Sequence, residues 1–233
     1  MSISTGCPII DKALDGGIPL GLITFIYGDV GTGKTTISLQ VSAQAALRNL
    51  KFIYVNALGK LSTKRLADIF SYLDSERLSN GIIISVRNFQ ELYDFLIQIE
   101  DLMNPKTRLV IVDTLTRLYR LELSTKAVNV RLNKQLNQIM ALLFKITRYY
   151  RVAVLATGDI RISPEVGEEP VAAKIIKYWS DVLLRITRTE IPSRRLILVE
   201  KHKIRSLIGT RILCVLSKFG LRGVEIEPPS DST

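Results

Sequence analysis

Apolar residues in this chain gather into short unbroken runs, separated by longer stretches with a helical period. The runs are residues 22–27, 51–55, 81–86, 109–112 and 152–157. Continuous apolar segments of that length predict strands covered on both faces. Between them the apolar spacing changes to three and four. Around 88–103, Phe89, Leu92, Leu96, Ile99 and Met103 share one helical face, and around 126–150 Leu132, Leu136, Ile139, Leu143 and Ile146 share another. Residues 37–47 contain no Gly or Pro and are also spaced as a helix. Such alternation predicts an α/β fold with right-handed crossovers and a mostly parallel central sheet flanked by helices, with ligands at the carboxyl ends of the strands. After residue 180 the runs become shorter, with turn residues between them. Segments 181–187, 195–200 and 211–216 predict antiparallel strands added near the C-terminus. No repeat or long linker interrupts the chain, so one domain over 1–233 is expected, with a frayed tail from 228 to 233.

Chemistry enters where the first strand meets its helix. Residues 28–36 read Gly-Asp-Val-Gly-Thr-Gly-Lys-Thr-Thr, so Gly28, Gly33, Lys34 and Thr35 fill the template G-x-x-x-x-G-K-[ST]. A strand before the loop and a helix after it are what a phosphate cradle needs: glycines let backbone N–H groups curl around an anion, and the helix presents its positive end to it. ATP is the expected ligand, held by Gly28, Asp29, Val30, Gly31, Thr32, Gly33, Lys34, Thr35 and Thr36. Lys34 would reach the β- and γ-phosphates, and the Thr35 hydroxyl would sit on Mg²⁺. The apolar strand 109–112 ends in Asp113, a carboxylate suited to the opposite side of the same Mg²⁺.

Composition narrows the setting. Hydrophobic residues make up 47% and charged residues 23%, which is globular and argues against disorder. No apolar run reaches the roughly 18 residues of a membrane span, and the N-terminus lacks a basic segment followed by an apolar core. Cys7 and Cys214 lie in apolar surroundings with no C-x-x-C, the pattern of buried reduced thiols. A cytoplasmic location is expected. The formal charge is +10, and it is uneven: 13 Lys/Arg face 11 Asp/Glu in residues 1–120, but 19 face 11 in residues 121–233. A basic half beside a nucleotide site points to nucleic acid. The same surplus is also found on the solvated surfaces of heat-stable proteins.

Longer motifs bring a family into view. The stretch from Ser4 to Gly21, Ser-Thr-Gly-Cys-Pro-Ile-Ile-Asp-Lys-Ala-Leu-Asp-Gly-Gly-Ile-Pro-Leu-Gly, resembles the entry to the ATPase core of the RecA/RadA/KaiC superfamily. Residues 113–120 resemble the segment leading into the first DNA-binding loop of archaeal RadA, and residues 153–158 resemble the core strand that follows. Residues 178–185 and 198–203 are closest to archaeal single-domain paralogues of RadA such as RadB. The resemblance implies a RecA-like ATPase core and an accessory role in DNA recombination and repair. It also implies single-stranded DNA as a partner, with a RadA-like recombinase and further copies of the chain as additional ones. A KaiC-like regulatory ATPase acting on proteins is the alternative. RadA carries a helix-hairpin-helix domain and linker ahead of this core with no counterpart before Ser4, so linker-driven filament growth is not expected.

Two departures bear on mechanism. Leu58 falls where RadA-like proteins place the glutamate that polarises the attacking water, so weak hydrolysis is expected while binding survives. Thr157-Gly-Asp159 stands where those proteins have T-N-Q, which puts Asp159 at the position that senses the γ-phosphate; a carboxylate there is repelled by the phosphate unless Mg²⁺ or a lysine lies between, so coupling between ATP state and DNA affinity is not expected. For DNA, Arg117, Arg120, Lys126 and Arg131, with Tyr119 for stacking, are expected on a loop leading into a helix. The second loop, about 160–173, carries Glu165, Glu168 and Glu169 against Arg161 and is less suited to phosphate, with Lys174 and Lys177 offsetting the acids only in part. Lys201 and Lys203 resemble the K-x-R pair with which KaiC-like subunits reach a neighbour's γ-phosphate in trans; a charged strand end with a solvated His202 is the competing reading.

Overall fold

A computed structural model describes residues 1–57, 59 and 61–229 of the chain. The entry is β1 (Ser2–Ile3), α1 (Pro8–Ala13) and β2 (Ile18–Pro19), with the two strands paired antiparallel. Asp11 ties this segment together by accepting from the Thr5 N–H and the Thr5 and Ser4 hydroxyls. Next come β3 (Ile23–Tyr27), fully buried, and α2 (Lys34–Leu47). β4 (Lys51–Asn56) leads to α3 (Thr63–Phe70), which starts where Ser62 accepts from the Arg65 N–H at 3.3 Å. The short α4 (Ser75–Leu78) precedes β5 (Gly81–Ser85). α5 (Phe89–Ile97) is capped by Asn88, which accepts from the Glu91 N–H at 2.8 Å.

β6 (Thr107–Asp113) is followed by α6 (Leu115–Glu122) and the long α7 (Lys126–Tyr150), whose cap Thr125 accepts from the Val128 N–H. β7 (Ala153–Gly158) then runs into the hairpin β8 (Ile160–Ser163) and β9 (Gly167–Pro170). α8 (Ala173–Trp179), β10 (Val182–Arg188), β11 (Arg194–Lys201), β12 (Arg211–Ser217) and β13 (Gly220–Glu227) complete the path.

Nine strands form one sheet in the order β13-β12-β11-β10-β3-β7-β6-β4-β5. Strands β10 to β5 run parallel, and β11, β12 and β13 extend the β10 side antiparallel, as the sequence texture predicts. One buried cluster lies under α1, α2 and α3, and a second lies under α5, α6, α7 and α8 on the other face. Register then fixes the working edge. Tyr27 lies opposite Gly158 and Asn56 opposite Asp113, so β3, β7, β6 and β4 all deliver their carboxyl ends to one rim.

Four details differ from the sequence reading. β5 is an edge strand, and Ile82 and Ile83 are 42% and 44% exposed rather than covered on both faces. An apolar run alone does not reveal which strand is last in the sheet. The helix expected over 88–103 leaves α geometry at Gln98 and tightens to a 3₁₀ turn, Ile99–Leu102, ahead of Pro105. Residues 115–122 are helix rather than loop: no Gly or Pro interrupts them, and Leu115, Leu118 and Tyr119 bury a common face. The segment expected as an open second loop contains the β8–β9 hairpin. Leu58, and residues 230–233 of the expected frayed tail, lie outside the described residues. Cys7 and Cys214 are buried free thiols. Among the described residues no helix is long and apolar enough to cross a membrane.

Candidate functional site

The loop between β3 and α2 closes at Gly33, the N-cap of α2, whose φ of 111° lies in the region glycine tolerates. Gly28 is needed for a different reason: a Cβ there would run into the Ile186 carbonyl oxygen of β10. Side chains take up the loop's carbonyls. Arg188 donates to Val30 O at 2.6 Å, while Arg195 donates to Thr32 O at 3.0 Å and Gly31 O at 3.2 Å. The Thr32 hydroxyl donates to Asp29 O at 2.8 Å. With those carbonyls occupied, Val30, Gly31 and Gly33 of the loop and Lys34 and Thr35 of the first turn of α2 line the cleft, a loop-and-helix-start arrangement suited to phosphate. Arg188 and Arg195 went unnoticed in the sequence because their role depends on β10 and β11 pairing them beside β3. No spacing signal marks that.

Lys34 is buried, and its ammonium donates to Gly28 O at 2.6 Å and Asp29 O at 2.8 Å. Asp159 is its ion-pair partner, at 3.8 Å. Burial pushes the Lys34 pKa below its usual value; Asp159, Asp113 and Asp29 oppose the shift, and Arg117 adds to it. A desolvated cation held by neutral carbonyls and a distant carboxylate is well placed to take an anion. Thr35 lines the same cleft, a cavity of about 290 Å³, together with Arg65, Thr114, Arg117 and Asp159.

Asp113, at the end of β6, is fully buried. Its Oδ2 accepts from the Tyr54 hydroxyl at 2.7 Å and its Oδ1 from the Thr157 hydroxyl at 2.5 Å. Burial, reinforced by the adjacent carboxylate, drives the Tyr54 pKa well above its usual value, so the phenol remains a donor. Each carboxylate oxygen retains acceptor capacity. Among the described residues no cluster of three or more His, Cys, Asp or Glu could hold a metal on its own. A cation at this site would therefore draw ligands from the Thr35 hydroxyl, the phosphates and water, with Asp113 behind them.

The residues expected to meet DNA divide into groups. Arg117 is on the first turn of α6 and lines the phosphate cleft. Arg120, one helical turn further on, is exposed; it donates to Ile160 O at 3.5 Å and shares a groove of about 440 Å³ with Arg161 and Lys174. Lys126 and Arg131 are exposed on α7. Tyr119 cannot stack on a base as expected: it is buried edge-on against Phe89, and its hydroxyl donates to Asn133. Two acids of the second loop are paired, Glu169 with Arg161 of the loop and Lys177 of α8, and Glu168 with Arg185 of β10.

Lys201 and Lys203 lie away from their own phosphate loop. Lys201 pairs with Leu183 near the start of β10, whereas the loop follows the end of the parallel neighbour β3. In this structure the Lys201 ammonium donates to Lys177 O at 2.9 Å and Ser180 O at 2.5 Å, closing the end of α8. His202 is buried rather than solvated, and its Nδ1 accepts from the Ile204 N–H.

Residues 1–197 match the Rad51 family. The DNA repair and recombination protein RadB of Methanosphaera stadtmanae is 31% identical over 202 residues, covering 84% of this chain and 86% of that protein. The protein of the same name from Methanocaldococcus jannaschii is 35% identical over 196 residues, with 83% and 90% covered. That of Thermococcus gammatolerans is 31% identical over 227 residues, with 96% and 98% covered. The crystal structure of the RadB recombinase superposes with a TM-score of 0.80 at 26% identity, covering 96% of this chain and 100% of that one. Likeness of this depth along most of its length makes the chain a member of the Rad51 family and, within it, of the RadB group.

Proposed function

We propose that this chain is an ATP-binding accessory factor in DNA recombination and repair, which binds single-stranded DNA, modulates a RadA-like recombinase, or both. The observation that carries the reading is the continuity between two basic surfaces. The phosphate cleft around Lys34 ends at Asp159, and the next residue, Ile160, begins the hairpin whose carbonyl Arg120 holds in the neighbouring groove. A change at the cleft has one residue to travel before it reaches the candidate DNA surface. Membership of the Rad51 family, and the names of the RadB relatives, favour this reading over a KaiC-like regulator of proteins.

The residues present suit Mg-ATP. The loop supplies amides and Lys34 to the phosphates, Thr35 supplies a hydroxyl to the cation, and Asp113 faces it through water. Bound magnesium would neutralise phosphate charge. Leu58, in place of the expected carboxylate, makes turnover slow, below the roughly 1–10³ s⁻¹ typical of enzymes. Arg120, Lys126 and Arg131 supply phosphate contacts for DNA, and Lys201 and Lys203 meet a neighbouring subunit, either a further copy or the recombinase. Residues 1–233 work as a single ATPase core in the cytoplasm.

The test is binding of labelled single- and double-stranded DNA across salt, with and without Mg-ATP, to the wild type and to Arg120→Ala. Affinity should fall steeply with salt, and Arg120→Ala should make the log–log slope shallower by about one unit. No binding even at low salt would remove DNA from the reading and return the chain to the protein-directed alternative.

A further inference from the structure

Arg117 was expected on DNA, yet the fold places it elsewhere. It occupies the first turn of α6, half-buried, with its side chain in the wall of the phosphate cleft. Two features of that wall have no role in the nucleotide reading so far. The first is Thr114, the N-cap of α6. It is 2% exposed, lines the cleft, and its Oγ1 has no hydrogen-bond partner among the described residues. The hydroxyl does not cap its own helix. A buried hydroxyl left unpaired is unfavourable unless a ligand completes it. The second is the charge balance. Among the described residues that line the cleft, Lys34, Arg65 and Arg117 stand against the carboxylate of Asp159, while Asp113 is buried and bound to Tyr54 and Thr157.

Sheet order says which part of the ligand this wall meets. The phosphate loop follows β3, Asp159 follows β7, and Thr114 and Arg117 follow β6, with β7 between β3 and β6. At about 4.8 Å between strands, the α6 wall stands roughly 10 Å across the rim from the loop. A diphosphate is served by the loop amides and Lys34. A further phosphate, extending along the rim from that pair, would approach the α6 residues that line the same cleft.

The geometry points to Arg117, with the Thr114 hydroxyl, as a contact for the terminal phosphate within the same subunit, one that lets the lone chain distinguish a nucleoside triphosphate from a diphosphate. This rests on the nucleotide-binding reading above and deepens it. The guanidinium suits a phosphate because it offers several donors in a fixed plane. In this scheme Lys201 and Lys203 of a neighbour add to a discrimination already made in the lone subunit.

The test is titration calorimetry at concentrations where the protein is monomeric, with Mg²⁺, using ADP and a non-hydrolysable ATP analogue. Wild type, Arg117→Ala, Arg117→Lys, Thr114→Val and Lys34→Ala are compared. Arg117→Ala should lose roughly tenfold or more in affinity for the triphosphate and less than about twofold for ADP, the size expected for removing a charge-assisted bond to phosphate. Arg117→Lys should retain part of the preference, and Thr114→Val should lose a smaller part of it. Equal weakening of both nucleotides by Arg117→Ala, or no change in either, overturns the inference. So does a shallower salt dependence of DNA binding in Arg117→Ala with an unchanged nucleotide preference, which would return this residue to DNA. Unchanged affinity for both nucleotides in Lys34→Ala would instead sink the nucleotide reading itself, and this inference with it.

Discussion

The buried carboxylate of Asp113 offers the most direct check on how the site is held. It is fully enclosed, and its two oxygens depend on two hydroxyl donors, Tyr54 at 2.7 Å and Thr157 at 2.5 Å. Tyr54→Phe removes one donor and little volume, so the change reports the hydrogen bond rather than a cavity. A hydrogen bond to a charged partner contributes about 1.5–3 kcal/mol. Taking about 2 kcal/mol, and about 2–4 °C per kcal/mol for a chain of this size, the melting temperature should fall by about 4–8 °C. Thr157→Val should act similarly. The double variant should lose at least the sum, because it strands a buried carboxylate with neither donor. Adding Asp113→Asn to the double variant should restore part of the loss, since a neutral amide needs less from its surroundings. Calorimetric unfolding of the wild type and the four variants reads this directly. A shift below about 1 °C for Tyr54→Phe, or no recovery on adding Asp113→Asn, would refute the account.

Other consequences follow from the same network. Arg195→Met removes the donors behind Gly31 and Thr32, so nucleotide affinity should fall about tenfold with the fold retained; unchanged calorimetric affinity would mean the loop holds its shape unaided. The phenols of Tyr27 and Tyr54 are both raised, Tyr27 by burial and then by its bond to Glu200. A raised folded pKa means full stability below the unfolded tyrosine value near pH 10, and loss as pH climbs from there toward the folded values. Denaturant midpoints measured from pH 8 to 12 should therefore fall only above about pH 10, and less so in Tyr27→Phe. Lys201→Ala should destabilise the isolated subunit by about 1 kcal/mol through the end of α8, whereas Lys203→Ala should not. If both act in trans, light scattering in an ATP analogue should show larger species that the double substitution abolishes.

The phosphate loop, the strand ending in Asp113, the parallel core and the added antiparallel strands were all legible in the chain itself, because each rests on local pattern. A glycine-rich loop must sit between a strand and a helix, and a strand buried on both faces reads as an apolar run. The motif from Ser4 to Gly21 carried the family for the same reason: it is contiguous. Tertiary structure decided what depends on neighbours far along the chain. Arg188 and Arg195 hold the phosphate loop only because β10 lies beside β3 and β11 beside β10. Tyr119 looks like a stacking aromatic until α6 buries it against Phe89. Arg117 and Arg120 are three residues apart and read alike, yet the turn of α6 sends one to the phosphate cleft and the other to the groove shared with Arg161 and Lys174. Glu168 and Glu169 of the second loop read as repulsive to DNA until the fold pairs Glu169 with Arg161 and Lys177 and Glu168 with the distant Arg185. Sequence pattern fixes which face of an element is apolar. Which polar group then meets which is set by strand order and helix rotation, and those are determined only when the whole core packs.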